Sequence, residues 1–108
     1  MGEFHLIIYS GPYRVRFFTF VKFMYFVYVL FSLKDKKFYI GFTNDLERRL
    51  REHNSGKNIS TKSRLPLKLL YYEAHLSKGD SSRRERYFKT TKGKSTLKQM
   101  LRESLKNI

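Results

Sequence analysis

The stretch YFVYVLFSLKDKKFYIGFTNDLERRLREH, residues 25–53, decides the fold. Its first half is dense in aromatic and β-branched residues, which favour strands, so we expect strands at Tyr25–Leu33 and Phe38–Phe42. The polar residues 34–37 between them predict a turn. The two strands therefore form a β-hairpin.

The rest of the chain, read outward from the hairpin, predicts three helices and one more strand. Leu97, Leu101 and Leu105 recur every four residues near the C-terminus and form one apolar helical stripe. The predicted elements are a helix over Asp45–Asn54 closed by Gly56, a polar loop over 55–66, a strand over Leu67–Ala74, a helix capped by Asp80, Ser81 or Ser82 and running to about Thr90, and a helix over Thr96–Lys106.

The first 23 residues form an N-terminal extension with a different pattern. Two extended-looking runs, Phe4–Tyr9 and Tyr13–Phe23, flank the turn signal Ser10-Gly11-Pro12. The second run either adds a half-exposed strand or is an unfolded extension ahead of a domain that begins near Met24. Residues 17–33 carry a single charge, Lys22, but they are too short and too rich in aromatic residues for a typical membrane-spanning helix. We expect no stable membrane association.

The charge and the cysteine content of the chain restrict which partners and which kinds of site are expected. The 108-residue chain carries 23 Lys and Arg against 9 Asp and Glu, a net charge of +14, and no cysteine. An acidic partner is expected, with nucleic acid first and an anionic membrane surface second. The missing cysteines exclude disulfide frameworks, thiolate metal sites and cysteine nucleophiles, and we expect a cytoplasmic protein.

Side-chain alternation predicts a cluster of polar groups on one face of the hairpin. With an even-length loop, Tyr28 and Tyr39 point to the same side, and Gly41 leaves open backbone beside Tyr39. Arg49 and His53 are four residues apart and share a helix face. Glu85 lies within a run of arginines, where it either pairs with them or binds a cation.

The order and spacing of these residues resemble the GIY-YIG nuclease family. The segments that carry the resemblance cover about residues 24–105. They are Phe26-Val27-Tyr28, Tyr39-Ile40-Gly41, Asn44 through Gly56, Thr61, Pro66, Tyr71-Tyr72-Glu73 and Arg84 through Lys89. The chain looks similar to the small single-domain bacterial members, which are related to the N-terminal nuclease domain of the excision-repair incision enzyme.

The resemblance implies a fold, an activity and a set of site residues. It implies an α+β domain at 24–108, with a three-stranded antiparallel sheet flanked by helices, that hydrolyses phosphodiester bonds in nucleic acid, DNA above all. Carried over residue by residue, the catalytic set is Tyr28, Tyr39, Arg49, His53 and Glu85. Arg49 is preferred to Arg48 because it lies ten residues after Tyr39 and four before His53.

Phosphodiester hydrolysis suits these residue types. Glu85 is expected to bind a divalent metal, Mg²⁺ or Mn²⁺, as a hard oxygen ligand. Arg49 can stabilise charge on the phosphate through its planar guanidinium. Tyr28 or Tyr39, with its pKa lowered by nearby cations, can serve as the base.

Basic residues near the site are expected to contact phosphates without reading sequence. They are Lys57, Lys62, Arg64, Arg83, Arg84, Arg86 and Lys89. Two positions depart from the family pattern: Phe26 replaces the glycine of the first motif, and Phe42 stands where some relatives have lysine. A catalytically inactive nucleic-acid-binding module on the same fold is therefore the alternative.

Overall fold

The computed structural model describes residues 23–108. The strands in this part of the chain are β1 (Tyr25–Ser32), β2 (Phe38–Thr43) and β3 (Leu67–His75). The helices are α1 (Leu46–Asn54), a 3₁₀ turn (Lys62–Arg64), α2 (Lys78–Phe88), α3 (Thr91–Met100) and α4 (Arg102–Lys106). The extended runs predicted at Phe4–Tyr9 and Tyr13–Phe23 lie outside the described residues, except for Phe23.

The three strands form one antiparallel sheet in the order β2-β1-β3, which confirms the predicted α+β class. In the β1–β2 register Tyr28 pairs with Gly41 and Leu30 with Tyr39. Because successive side chains alternate, Tyr28 and Tyr39 share one face of the sheet, as the loop length predicts. The hairpin is therefore the frame that brings the two tyrosines together.

The two faces of the sheet are covered by different helices. On one face Val27, Val29 and Ile40 pack against Phe88 of α2 and against Leu97 and Leu101, and these six residues form the buried apolar cluster. The opposite face carries Tyr28 and Leu30, and α1 covers it through His53. Residues Phe26 to Leu30 of β1 are all buried because this central strand is covered on both sides.

Two helix starts differ from those predicted. The cap of α2 is Ser77, whose hydroxyl accepts from the backbone N–H of Asp80, so Asp80, Ser81 and Ser82 lie inside the helix. The last predicted helix begins at Thr91 instead of Thr96, because Thr90 caps it, and it is broken at Leu101. Its first turn is polar, so the apolar stripe that begins at Leu97 did not reveal it.

The segment 55–66 is more ordered than the predicted polar loop. Gly56 has φ +76°, the left-handed conformation with which glycine ends helices, as expected after α1. At the far end of the segment, Arg64 donates through Nη2 to the backbone carbonyls of Lys37 and Phe38 and binds the Asp35 carboxylate. Through these contacts Arg64 anchors the 55–66 segment to the hairpin turn.

No helix within residues 23–108 combines the length and the apolar character needed to cross a bilayer.

Candidate active site

The close approach of Tyr28 to Gly41 builds the base of the site. A Cβ atom at position 41 would lie 2.3 Å from both Cζ and the hydroxyl oxygen of Tyr28. The space over Gly41 is thus filled by the Tyr28 ring and is not open backbone beside Tyr39, which corrects the expectation from sequence. Glycine is required at position 41 because any side chain would displace the tyrosine.

Gly41→Ala is expected to lower the free energy of unfolding by about 1–3 kcal/mol, the usual cost of overpacking a tight site. Urea denaturation measures this loss. Gly79→Ala is the matched control, since a Cβ there meets only the Ser77 hydroxyl oxygen, at 3.6 Å. Equal stability of the two variants would contradict the tight packing of Tyr28 on Gly41.

A buried hydrogen-bonded chain connects β1, α1 and the 55–66 segment. The Tyr28 hydroxyl lies 2.9 Å from Nε2 of His53, and Nδ1 of His53 lies 2.7 Å from Oγ1 of Thr61. All three side chains are almost fully buried. Three elements that are distant in sequence are thus joined through one imidazole.

The surroundings of His53 favour its neutral form. Burial lowers the pKa of His53 from 6.5, and the positive charge of Arg49 lowers it further, while Glu52 acts in the opposite direction. A neutral imidazole carries one N–H, so it donates to one of its two hydroxyl partners and accepts from the other. The ring orientation is therefore fixed at both nitrogens.

Tyr28 does not have the lowered pKa expected of a base among cations. Burial raises the pKa of Tyr28 well above 10.0, and the neighbouring Tyr39 adds to this increase. The charge of Arg49 acts in the opposite direction but does not compensate for the burial, and Glu85 and Glu52 raise the pKa further. Tyr28 therefore holds its proton, which corrects the sequence expectation for this residue.

Tyr39 is the more accessible of the two phenols. It is half-buried, whereas Tyr28 is 1% exposed. The Tyr39 ring centroid lies 5.1 Å from that of His53 and 6.4 Å from that of Tyr28. The two tyrosines and the histidine thus form one aromatic cluster, with Tyr39 on its exposed side.

Arg49 and Arg48 occupy different environments, although they are adjacent in α1. The charge of Arg49 affects the pKa values of both Tyr28 and His53. Its Nε lies 3.3 Å from Glu52, but this geometry does not make a hydrogen bond, so a buried N–H has no partner in the described part of the chain. Arg48 is exposed and pairs with Asp45 as well as with Glu52. Arg49 is the arginine at the tyrosine cluster.

Glu85 approaches the cluster from α2, but it makes no hydrogen bond or ion pair with the other four predicted catalytic residues. Its side chain is 19% exposed, and it pairs with Lys89 at 3.2 Å rather than with the adjacent arginines. Its charge is close enough to raise the pKa of Tyr28. Within residues 23–108 no group of three or more His, Cys, Asp or Glu side chains is arranged to hold a metal ion.

The predicted phosphate-contacting residues divide into two groups. Arg64 is half-buried and bound to Asp35, and Arg84 donates both Nε and Nη2 to Glu73 while its guanidinium lies 4.2 Å from the Phe88 ring centroid. These two arginines stabilise tertiary contacts of the fold. The exposed members are Lys57, Lys62, Arg83, Arg86 and Lys89.

Two residues of the site were given no role by the sequence analysis. Thr61 lies in an irregular segment eight residues after His53, and no helical or strand periodicity connects them. Glu52 lies on α1 beside both arginines and raises the pKa values of Tyr28 and His53. The i,i+3 spacing of Glu52 from Arg49 is a signal that could have identified it.

Comparison with known proteins gives consistent matches. A family model of the GIY-YIG catalytic domain matches residues 24–99. A UPF0213 protein of Streptococcus agalactiae serotype V is 48% identical over 65 residues, 59% of this chain and 73% of that protein. A UPF0213 protein of Bacillus licheniformis is 44% identical over 66 residues, 60% of this chain and 67% of its own length. The solution NMR structure of a UPF0213 protein from Bacillus halodurans is 34% identical, with a TM-score of 0.47, and the match covers 71% of this chain and 84% of that one.

Proposed function

The chain belongs to the GIY-YIG catalytic domain family, and from this we propose that it is a divalent-metal-dependent endonuclease that hydrolyses phosphodiester bonds in DNA. The observation that carries the proposal is the position of Arg49 beside the cluster of the two tyrosines and His53. Its buried Nε makes no hydrogen bond within residues 23–108, although the Glu52 carboxylate lies 3.3 Å away. A phosphate oxygen that displaced this carboxylate would satisfy the donor.

In this proposal the substrate phosphate lies against Arg49. The guanidinium presents several N–H donors in a plane, which suits two phosphoryl oxygens at once. When water attacks, negative charge grows on these oxygens, and Arg49 stabilises that charge in the transition state. Arg48 is already paired with carboxylates and contributes positive potential only.

We assign Tyr39 to the attacking water, because Tyr28 is buried and keeps its proton. The Tyr39 hydroxyl oxygen accepts one proton from the water as the oxygen–phosphorus bond forms, and the hydroxyl passes its own proton to solvent. The bond to the leaving oxygen breaks, and that oxygen takes a proton from solvent. Tyr28, His53 and Thr61 position the cluster through their hydrogen-bonded chain.

The residues present fit a Mg²⁺ or Mn²⁺ ion that binds together with the substrate. Mg²⁺ in proteins is commonly held by one or two carboxylates, with water and substrate phosphate as the remaining ligands. Glu85 would supply that carboxylate after releasing Lys89. The bound ion would polarise a phosphoryl oxygen and stabilise the leaving oxygen.

Nicking of supercoiled plasmid in the presence of Mg²⁺ tests the proposal. Purified full-length protein should convert the supercoiled form to the relaxed or linear form, and a chelator should stop the reaction. The alternative is a binding module without catalysis, which is favoured by the pairing of Glu85 with Lys89. Binding alone breaks no phosphodiester bond, so a supercoiled plasmid that remains intact while DNA binding persists would establish the alternative.

Duplex affinity is expected to fall steeply with salt, because the exposed cations contact phosphates. If about five phosphates are contacted, log K falls with log[salt] with a slope of roughly −4 to −5. Replacing Lys57 and Lys62 by Gln should make the slope shallower by about two units. Fluorescence anisotropy at several salt concentrations measures this, with Lys68→Gln and Lys78→Gln as the control pair of exposed lysines. A slope near zero for the wild-type protein would exclude an electrostatic DNA surface.

We place the nuclease domain at residues 24–108. Every residue assigned to the site lies at or beyond Tyr28, so a protein that begins at Met24 is expected to unfold cooperatively and to nick plasmid at the rate of the full chain. Circular dichroism during thermal denaturation, together with the nicking assay, checks this. Loss of cooperative unfolding would show that residues 1–23 are part of the fold.

A further inference from the structure

A second basic surface lies at the hairpin turn, away from the residues assigned to catalysis. It is a groove between the β1–β2 turn and helices α3 and α4, and we call it the basic groove. Its aromatic lining is Phe31 and Phe38. Its exposed cations are Lys36, Lys37, Lys94, Lys98, Arg102 and Lys106.

Most of these cations have no carboxylate partner in the part of the chain that the structure describes. Within residues 23–108, only Lys106 of the six forms an ion pair, with Glu103. The one acidic residue that lines the groove, Asp35, is bound to Arg64. The basic groove therefore has a large positive charge that the described part of the chain does not neutralise.

Three of the cations are arranged as a stripe. Lys94, Lys98 and Arg102 follow one another at intervals of four residues across the junction of α3 and α4. Like charges at this spacing destabilise a helix. An anionic ligand with several regularly spaced charges would remove this repulsion, so the stripe favours a polyanion.

The aromatic lining adds a feature that phosphate binding alone does not need. The rings of Phe31 and Phe38 lie with their centroids 6.0 Å apart in an edge-to-face arrangement, and both are half-buried. Phe38 packs against the core cluster, whereas Phe31 is not among the residues packed on it. Phe31 thus offers aromatic surface in a cationic groove.

We propose that the basic groove binds an unpaired segment of a nucleic acid strand, with its phosphates on the cations and a base against Phe31. Single-strand-binding proteins combine these two features, a cationic groove and aromatic stacking surfaces. In a duplex the base faces are already stacked on one another, so the aromatic lining selects unpaired bases.

The inference deepens the proposed function and rests on it for the choice of nucleic acid as the polyanion. Phe31 lies three residues along β1 from Tyr28, about 10 Å at the usual rise of a strand. The two side chains point to opposite faces of the sheet. A substrate with an unpaired strand next to a duplex could therefore contact the site on one face and the groove on the other.

The test measures binding of a fluorescent oligothymidylate to the full chain by anisotropy, in buffer without divalent metal. Replacing Lys94, Lys98 and Arg102 together by Gln should weaken binding at least about tenfold and make the salt slope shallower by about two units, the expectation for three single-strand phosphate contacts. Lys68, Lys78 and Lys92 are exposed lysines that do not line the groove, and replacing them by Gln makes the same change in net charge. This control triple should change affinity far less.

A second variant tests stacking separately from charge. An abasic strand of the same length keeps the phosphates but removes the bases, so the wild-type protein should prefer the base-bearing strand by about tenfold. Phe31→Leu keeps an apolar side chain and should abolish this preference while leaving the salt slope unchanged.

Three outcomes would overturn the inference. The first is an equal loss of affinity for the groove triple variant and the control triple variant. The second is equal binding of the base-bearing strand and the abasic strand. The third is competition by polyglutamate as strong as that by oligothymidylate, which would indicate an acidic polypeptide as the ligand. The proposed nuclease function is tested independently by nicking of duplex plasmid. Oligothymidylate binding without any nicking would support the groove and reject the nuclease.

Discussion

Glu85→Gln is expected to abolish Mg²⁺-dependent nicking while DNA binding stays nearly intact. The amide is close in size to the carboxylate but carries no charge, so it is a poor ligand for a hard divalent cation. The substitution also removes one negative charge near the site, so affinity for DNA should not fall. Plasmid nicking and anisotropy, measured on the same preparation, separate these two effects.

Glu47→Gln is the matched control for this experiment. Glu47 lies on α1, its side chain is 88% exposed, and its pairing with Arg51 is on the surface. A surface pair of this kind contributes little to stability. The control should nick at the wild-type rate. If Glu85→Gln does so as well, Glu85 is not the metal ligand.

Arg49→Ala is expected to lower the nicking rate by about 10²–10³-fold, the usual loss when a donor that stabilises transition-state charge is removed. Arg48→Ala should have a far smaller effect, because Arg48 is exposed and paired with Asp45 and Glu52. The two variants lose the same charge from adjacent positions of one helix. Only a specific contact with the phosphate predicts different rates.

Single-turnover rates at saturating protein are the appropriate measurement, since they exclude differences in affinity. Equal, small losses for the two arginine variants would favour the binding module. A large loss of nicking rate for Arg48→Ala alone would indicate that the phosphate binds on the outer side of α1.

The sequence predicted the hairpin and its consequences well, because strand alternation is a local rule. Tyr28 and Tyr39 share a face once the turn length is known. The helical spacing of Arg49 and His53 placed both on α1 beside the tyrosines. Helix starts were less predictable where the cap was Ser77 or Thr90, because the first turns of α2 and α3 carry no apolar stripe.

Properties that depend on tertiary packing did not follow from the sequence. Cations near the site were expected to lower the pKa of the tyrosine that acts as base, but for Tyr28 burial under α1 outweighs the charge of Arg49 and raises the pKa. Arg64 and Arg84 were predicted to contact phosphates, yet each has a carboxylate partner far away in sequence, Asp35 and Glu73. Such pairs become apparent only in the folded structure.

The double attachment of the 55–66 segment has a consequence for insertions and deletions. Thr61 is tied to His53 and Arg64 to the hairpin turn, so only residues 62 and 63 separate two fixed points. An added or missing residue there would pull either the imidazole partner or the turn out of place. Between Lys57 and Asn58, before the turn that leads into Thr61, an extra residue leaves both attachments intact. We therefore expect changes of length to be tolerated in the first part of the segment and to displace an attachment in the second.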